Sequence, residues 1–326
     1  MISRIVRVAT VAAITLAAFA AGAQQYPSRP ISVIVPFAAG GPTDTVARSV
    51  ADAMAKVMPG ASFVVENAPG AGGTIGVGKV ARARPDGYTI LVFHIGMATA
   101  PALYRNLQYK PLEDFEYIGL INDVPMTLLV KNGLPVKSIK ELVPYLKANA
   151  DKVTLANAGI GSASHLCGLM SQAAFGQELV TVAYKGTAPA LADLMAGQVD
   201  ILCDQTTNTV PQIKAGKVTA LAVTSTKRIE SLEGLPTMIE SGFAGFDVSI
   251  WHGMYAPKGT PKPVLDKLVA GLQQALKDPA LRKRFAELGA ETVATERATP
   301  EALRNHLAQE ISRWEPVIRK AGVYAD

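Results

Sequence analysis

Ile31-Ser32-Val33-Ile34-Val35 reads as a buried strand, Gly40-Gly41 as a sharp turn, and Pro42-Thr43-Asp44 as the first turn of a helix. A strand that feeds straight into a helix must lay that helix on a sheet face, which commits the chain to a layered α/β architecture. The same junction carries chemistry. Glycines let the backbone turn, proline suits the first helical position, and the free N–H groups of a helix N-terminus point at one spot with positive dipole character. The motif is an anion cradle, and the rest of the chain must say which anion it holds.

The alternation continues. Val46, Ala47, Val50, Met54 and Val57 mark one face of a helix that stops before Pro59-Gly60. Strands are expected at 62–66 and 88–93 with a short helix at 76–83 between them, a βαβαβ order that implies a parallel sheet covered by helices. A second copy of this logic follows, with strands at 126–130, 153–156, 179–183, 199–203 and 220–224 and helices at 164–175 and 188–195. Ser138 and Glu141 form a capping box that opens a further helix running to about Ala148. A strand at 246–256 and amphipathic helices at 261–288, broken near Asp278-Pro279, and at 300–321 close the chain. The chain is expected to cross between two lobes near 122–124 and again near 247–250. The reading is lobe 1 from 24–123 plus 249–326 and lobe 2 from 124–248, each with a parallel or mixed sheet flanked by helices. Two crossings form a hinge, and two hinged lobes form a closing cleft.

Residues 1–23 carry Arg4 and Arg7, then an uncharged apolar run from Val8 to Ala21, then Ala21-Gly22-Ala23 in the small-x-small pattern of a cleavage site. This reads as a signal peptide, because the run is shorter than the ~20 residues of a spanning helix. The expected mature chain starts near Gln24 and is free in the periplasm of a Gram-negative cell, where neither ATP nor NAD forms a substrate pool. The formal charge of +5 falls to +3 without Arg4 and Arg7, a mild excess that slightly favours anionic ligands. No basic cluster is interleaved with aromatics, so nucleic acid is not expected as a partner. The only cysteines, Cys167 and Cys203, match no zinc spacing. The compartment permits a disulfide between them, and two buried thiols remain the alternative.

Ligands of open α/β sheets bind at the carboxyl ends of the strands. Five small, polar loops stand there, at 37–43, 70–75, 157–165, 185–187 and 204–208. Gly73 to Val80 nearly matches a P-loop, but Val80 stands where the magnesium-binding hydroxyl is needed. Gly70 to Ile75 fails as a Rossmann turn, with its third glycine displaced and Pro69 before it. Gly161-Ser162-Ala163-Ser164 lacks the glycine that follows the nucleophile in a hydrolase elbow. Ser162 and Ser164 fit better as a helix cap and as hydroxyl donors to an oxyanion. His94, His165, His252 and His306 show no metal-ligand spacing, and neither a metal nor a cofactor is expected. His94 ends a strand and could donate to a ligand. Asp204 would repel an anion, so it either shapes its loop or accepts from a donor on the ligand.

Tyr26-Pro27-Ser28-Arg29-Pro30-Ile31, Val35-Pro36-Phe37 with Gly40-Gly41 and Asp44, Val65-Glu66-Asn67 with Pro69-Gly70-Ala71-Gly72-Gly73, Pro85-Asp86-Gly87-Tyr88-Thr89, Tyr184-Lys185-Gly186 and Leu221-Ala222-Val223-Thr224 together resemble the tripartite tricarboxylate transporter substrate-binding proteins, the Bug-type receptors. The resemblance runs from Tyr26 to the C-terminus. It implies a two-lobed periplasmic binding fold of type II-like form that hands its ligand to one large and one small integral membrane subunit, without chemistry of its own. It further implies that a ligand carboxylate is held by backbone N–H groups and waters of the 37–43 loop, opposed by the loop at 161–165, the Lys185-Gly186 turn and the segment at Asp204. The expected ligand-binding residues are therefore Phe37, Ala39, Gly40, Gly41, Thr43, Gly73, Thr74, His94, Gly161, Ser162, Ser164, His165, Lys185, Gly186 and Asp204. Ala38-Ala39, Pro42 and the bulky Phe93-His94-Ile95-Gly96-Met97 segment depart from the family pattern.

The expectation is a monomeric receptor for a small di- or tricarboxylate, aromatic ligands included. A ligand sensor for a membrane kinase and a serine hydrolase built on Ser162 or Ser164 are the rival readings.

Overall fold

The computed structural model describes residues 26–325; the proposed signal peptide at 1–23 lies outside the described residues. Parallel strands β1 (Ile31–Val35), β2 (Phe63–Asn67) and β3 (Thr89–His94) form one flank of a mixed sheet in the order β2-β1-β3. Helix α1 (Pro42–Val57) follows β1, and α2 (Thr74–Ala81) follows β2 through a single 3-10 turn at Ala71–Gly73. The buried side of α1 carries Val46, Ala47, Val50 and Met54, the spacing read from the sequence. Helix α3 (Gly96–Leu103), which contains Pro101, follows β3 where the sequence pattern predicts no helix.

Strand β4 (Phe115–Val130) is 16 residues long and belongs to both halves of the molecule. Its first part, to Pro125, pairs antiparallel with β9 (Ser249–Pro257), which in turn pairs antiparallel with β3. Its last part, Met126 to Val130, pairs with β7 (Ile201–Gln205) on one edge and with β8 (Thr219–Val223) on the other. Beyond β7 lie β5 (Thr154–Asn157) and β6 (Val180–Ala183), both parallel to it. Helices α4 (Ile139–Asn149), α5 (Ala163–Phe175), α6 (Thr187–Met195) and α7 (Thr206–Lys214) accompany these strands. Ser138 caps α4 by accepting from the Glu141 N–H.

The chain leaves the first sheet between Pro125 and Met126 and returns at Ser249. Thr224 clamps the two passages together. Its hydroxyl accepts from Met126 N–H at 2.9 Å and donates to Val248 O at 2.6 Å, while its main-chain N–H and C=O bond to the same two residues. The tail then adds α8 (Lys262–Ala275), α9 (Pro279–Glu287), the two-residue β10 (Glu291–Thr292) on β4, and α10 (Pro300–Ala321) against α3 and β4. The break between α8 and α9 falls at Asp278, whose carboxylate caps α9.

Cys167 on α5 and Cys203 on β7 are joined by a disulfide. It ties the helix that follows β5 to the strand beside it.

Candidate functional site

Between the strand ends of the two sheets lies a small cavity bounded by Phe37, Pro42, Thr43 and His94 from the first and by Ala158, Ser162, Ala163, Ser164, Thr187 and Gln205 from the second. Four helices aim their N-termini at it. Pro42 and Thr43 open α1, Ser162 is the N-cap of α5, Thr187 opens α6 and Gln205 is the N-cap of α7. Each N-terminus brings unpaired N–H groups and about half a positive charge, so the convergence makes an anion site without a single lysine or arginine among the lining residues.

The first wall is stiffened from behind. The Asp44 carboxylate accepts from Gly40 N–H at 2.9 Å, from Asn67 Nδ2 at 2.9 Å and from Arg48 Nε and Nη2 at 2.9 and 3.0 Å. These bonds overcome its burial and hold the carboxyl below the usual carboxylate range. Asn67 also donates to Phe37 O at 3.0 Å. The Gly40 N–H is thus spent within the loop. Gly40 takes the left-handed conformation (φ 79°), whereas Gly41, the N-cap of α1, is extended (φ −81°, ψ 177°).

His94 is stacked on Phe37, ring centroids 4.9 Å apart, and its Nδ1 accepts from Gly96 N–H at 2.9 Å. Its ring proton therefore sits on Nε2, a donor. Burial drives its pKa down to about 3, so the ring is neutral. His252, one strand over on β9, touches His94 edge-on and is also held neutral by burial, with His94 adding to the effect.

In the second wall, Ser162 Oγ accepts from His165 N–H at 3.2 Å and Ser164 Oγ accepts from Ala158 N–H at 2.8 Å. His165 Nδ1 accepts from Gly161 N–H at 3.3 Å, and burial lowers its pKa to about 4. Neither serine hydroxyl is bonded to a histidine ring, so no nucleophile–base pair is formed. Asp204 is fully buried, and burial pushes its carboxyl up to about 7 against the opposing donors Asn208 Nδ2 at 2.6 Å, the Thr187 hydroxyl and Gln205 N–H at 2.8 Å.

Of the residues expected from sequence, Phe37, Thr43, His94, Ser162 and Ser164 line the cavity. Ala39 and Gly40 lie exposed on the outer side of the loop. Gly41 caps α1 beside the wall. Gly73 packs under the rings of Phe93 and Phe37, and Thr74 bonds back to Ala71 O. Lys185 is exposed, and its main-chain carbonyl, not its ammonium, crosses the cleft to accept from Ala38 N–H at 3.0 Å. Gly186 abuts Ala38, Gly161 accepts from Thr99, and His165 and Asp204 are buried but do not line the cavity. Thr187 and Gln205 were missed, although both fall in loops placed at the site. Gln205 Oε1 is buried without a protein partner, and the buried Thr187 hydroxyl is turned toward the Asp204 carboxyl.

The two walls touch directly. Thr99 Oγ1 donates to Gly161 O at 3.0 Å and Tyr104 OH to Ile160 O at 2.9 Å. The space left between them is about 10 Å³, room for roughly one water.

Residues 46–323 match the profile of the family described as tripartite tricarboxylate transporter family receptor. A protein of Agrobacterium vitis, described as the UPF0065 protein in the TAR-I ttuE-ttuC' intergenic region, is 50% identical over 297 residues, 91% of this chain and 86% of its own. Among solved structures, the periplasmic binding protein BugD is 58% identical with a TM-score of 0.90, over 92% of this chain and 99% of that one. MatC from Rhodopseudomonas palustris, with bound malate, is 40% identical with a TM-score of 0.87, over 90% and 100%.

Proposed function

The chain belongs to the tripartite tricarboxylate transporter receptor family, a family of periplasmic solute-binding receptors and not of enzymes, and from that premise we propose that it captures a small carboxylate and delivers it to a membrane transporter of the tripartite type. The observation that carries this reading is the convergence of four helix N-termini on one cavity whose lining bears no charge. Main-chain and hydroxyl donors reach an anion at fixed positions, and charge-assisted bonds contribute about 1.5–3 kcal/mol each. The malate bound to MatC is a ligand of the expected class.

The cavity as it stands admits about one water, so a dicarboxylate enters only with the walls further apart. The two passages clamped by Thr224 act as the hinge, with lobe 1 formed by 24–123 plus 249–326 and lobe 2 by 124–248. Closure over the ligand removes water from around the donors and strengthens each bond. The receptor works as a periplasmic monomer, exported by the segment 1–23, and presents its closed form to the large and small integral subunits.

A thermal-shift screen of the mature protein against aliphatic di- and tricarboxylates and aromatic carboxylates tests the reading. A ligand that binds only the folded state raises the midpoint by mass action. No shift with any carboxylate would overturn it.

A further inference from the structure

Asn122, His252 and Thr43 form a buried polar line that ends at the cavity wall. Asn122 and His252 face each other on β4 and β9, the two strands that carry the chain between sheets, and all three residues are at most 1% exposed. The Asn122 Oδ1 to His252 Nδ1 distance is 2.9 Å and the His252 Nε2 to Thr43 Oγ1 distance is 3.3 Å. In this arrangement His252 carries its proton on Nδ1, the Thr43 hydroxyl donates back into the ring, and Asn122 Nδ2 is buried with no partner. That leaves an orphaned donor, the rarer and costlier kind of unsatisfied group, and it turns a lone pair of Thr43 toward a cavity whose other features suit an anion.

Turning the Asn122 amide over, with scarcely any movement of heavy atoms, removes both conflicts. Asn122 Nδ2 then donates to His252 Nδ1, His252 Nε2–H donates to Thr43 Oγ1, and the Thr43 proton is free to point into the cavity. The leftover group becomes a carbonyl oxygen, which tolerates an unfilled lone pair better than an amide tolerates an unmade bond. We infer that Asn122 and His252 are positioning residues, forming a relay that aims the Thr43 hydroxyl proton at the bound carboxylate. The relay rests on the carboxylate reading for its ligand, but its direction is a property of the protein alone. Together with the Nε2–H of His94, it places a second side-chain donor on the wall opposite Ser162 and Ser164.

Two measurements separate the relay from a merely structural role. Nitrogen-15 spectra of the histidine rings in the wild-type protein report the tautomer directly: the relay requires His252 with Nε2 protonated and Nδ1 bare, and an Nδ1-protonated ring overturns it. Titration calorimetry with malate as probe then compares wild type with His252→Gln, whose amide nitrogen reaches the place of Nε2, and His252→Phe, which keeps the ring but no donor. Affinity within about threefold of wild type for Gln and at least tenfold weaker for Phe is expected; equal affinities across the three overturn the relay. Should wild type bind no malate, that result bears on the ligand reading, and the tautomer still decides the relay.

Discussion

Gly72 meets the carbonyl oxygen of Ile160 across the cleft so closely that a Cβ on Gly72 would lie 1.9 Å from it. No side chain fits there while the walls are in contact. Gly72→Ala therefore props the cleft open. Its left-handed backbone (φ 59°) adds a strain of about 1 kcal/mol, a small loss of midpoint. The larger effect is on binding: affinity for a carboxylate ligand should fall at least tenfold by calorimetry, with small-angle scattering showing a wider ligand-bound shape than wild type. Wild-type affinity in this variant would show that closure is not required.

Gly41 separates steric need from charge. Gly41 has an ordinary φ, and a Cβ would sit 3.4 Å from Ala38 O, so Gly41→Ala should bind within about threefold of wild type. Gly41→Asp places a good N-cap at the head of α1 and should preserve or slightly raise the melting midpoint. Its carboxylate occupies the anion's side of the helix, and binding should vanish. A Gly41→Asp protein that still binds would remove α1 from the cradle.

The disulfide joins Cys167 to Cys203 across 36 residues of sequence. Closing a loop of that size stabilises the fold by about 4 kcal/mol in the chain-entropy account. The bond also fixes α5, with Ser162 and Ser164 at its head, against the strand that ends in Gln205. Reduction, or the Cys167→Ala/Cys203→Ala double variant, should lower the urea midpoint and weaken ligand affinity together. Unchanged affinity in a folded double variant would confine the bond to stability.

The buried histidines and Asp204 push stability in opposite directions with pH. His94 and His165 stay neutral down to about 3 and about 4, and His252 and His306 are shifted the same way, whereas the unfolded chain takes up these protons below about 6.5. The unfolded state binds more protons there, so stability falls as pH drops from about 6.5 to about 4. Asp204 holds its proton up to about 7 in the fold and loses it near 3.8 when unfolded, so its share falls as pH rises through that window, by about 4 kcal/mol in all. Denaturant titrations of wild type and Asp204→Asn at pH 4.5, 6 and 7.5 should therefore diverge, the variant gaining on wild type as pH rises. A difference independent of pH would mean that Asp204 is ionised throughout.

The alternation of strands and helices was legible because most elements bury a simple stripe, as α1 does. The exceptions have physical reasons. Helices α3 and α7 contain Pro101 and Pro211, and α7 opens on consecutive threonines, so local propensity argues against both. Tertiary packing sustains them. The last part of β4 was legible as a strand at 126–130, but its first part was hidden because Gly119, Asn122, Asp123 and Pro125 interrupt the apolar run; the strand shifts register at Gly119 and Asn122 and changes sheets after Pro125.

The loops of the site could be found from strand ends alone, but not which of their residues face inward. Asp204 and Gln205 are neighbours at the end of β7, and successive residues of a strand point to opposite sides. The charged one attracted notice but does not line the cavity; the neutral one does. Gly40 and Gly41 present the same difficulty, since only the backbone dihedrals tell the one that needs to be glycine from the one that does not.

Strand β9 lies between β3 and β4 and is made long after both. Until Pro257 has been synthesised, β3 and the first part of β4 have no shared neighbour, and the α8–α10 layer that covers them does not yet exist. The order of synthesis thus withholds the central strand of the first sheet until late, and the pairings that complete that sheet are long-range and slow to form.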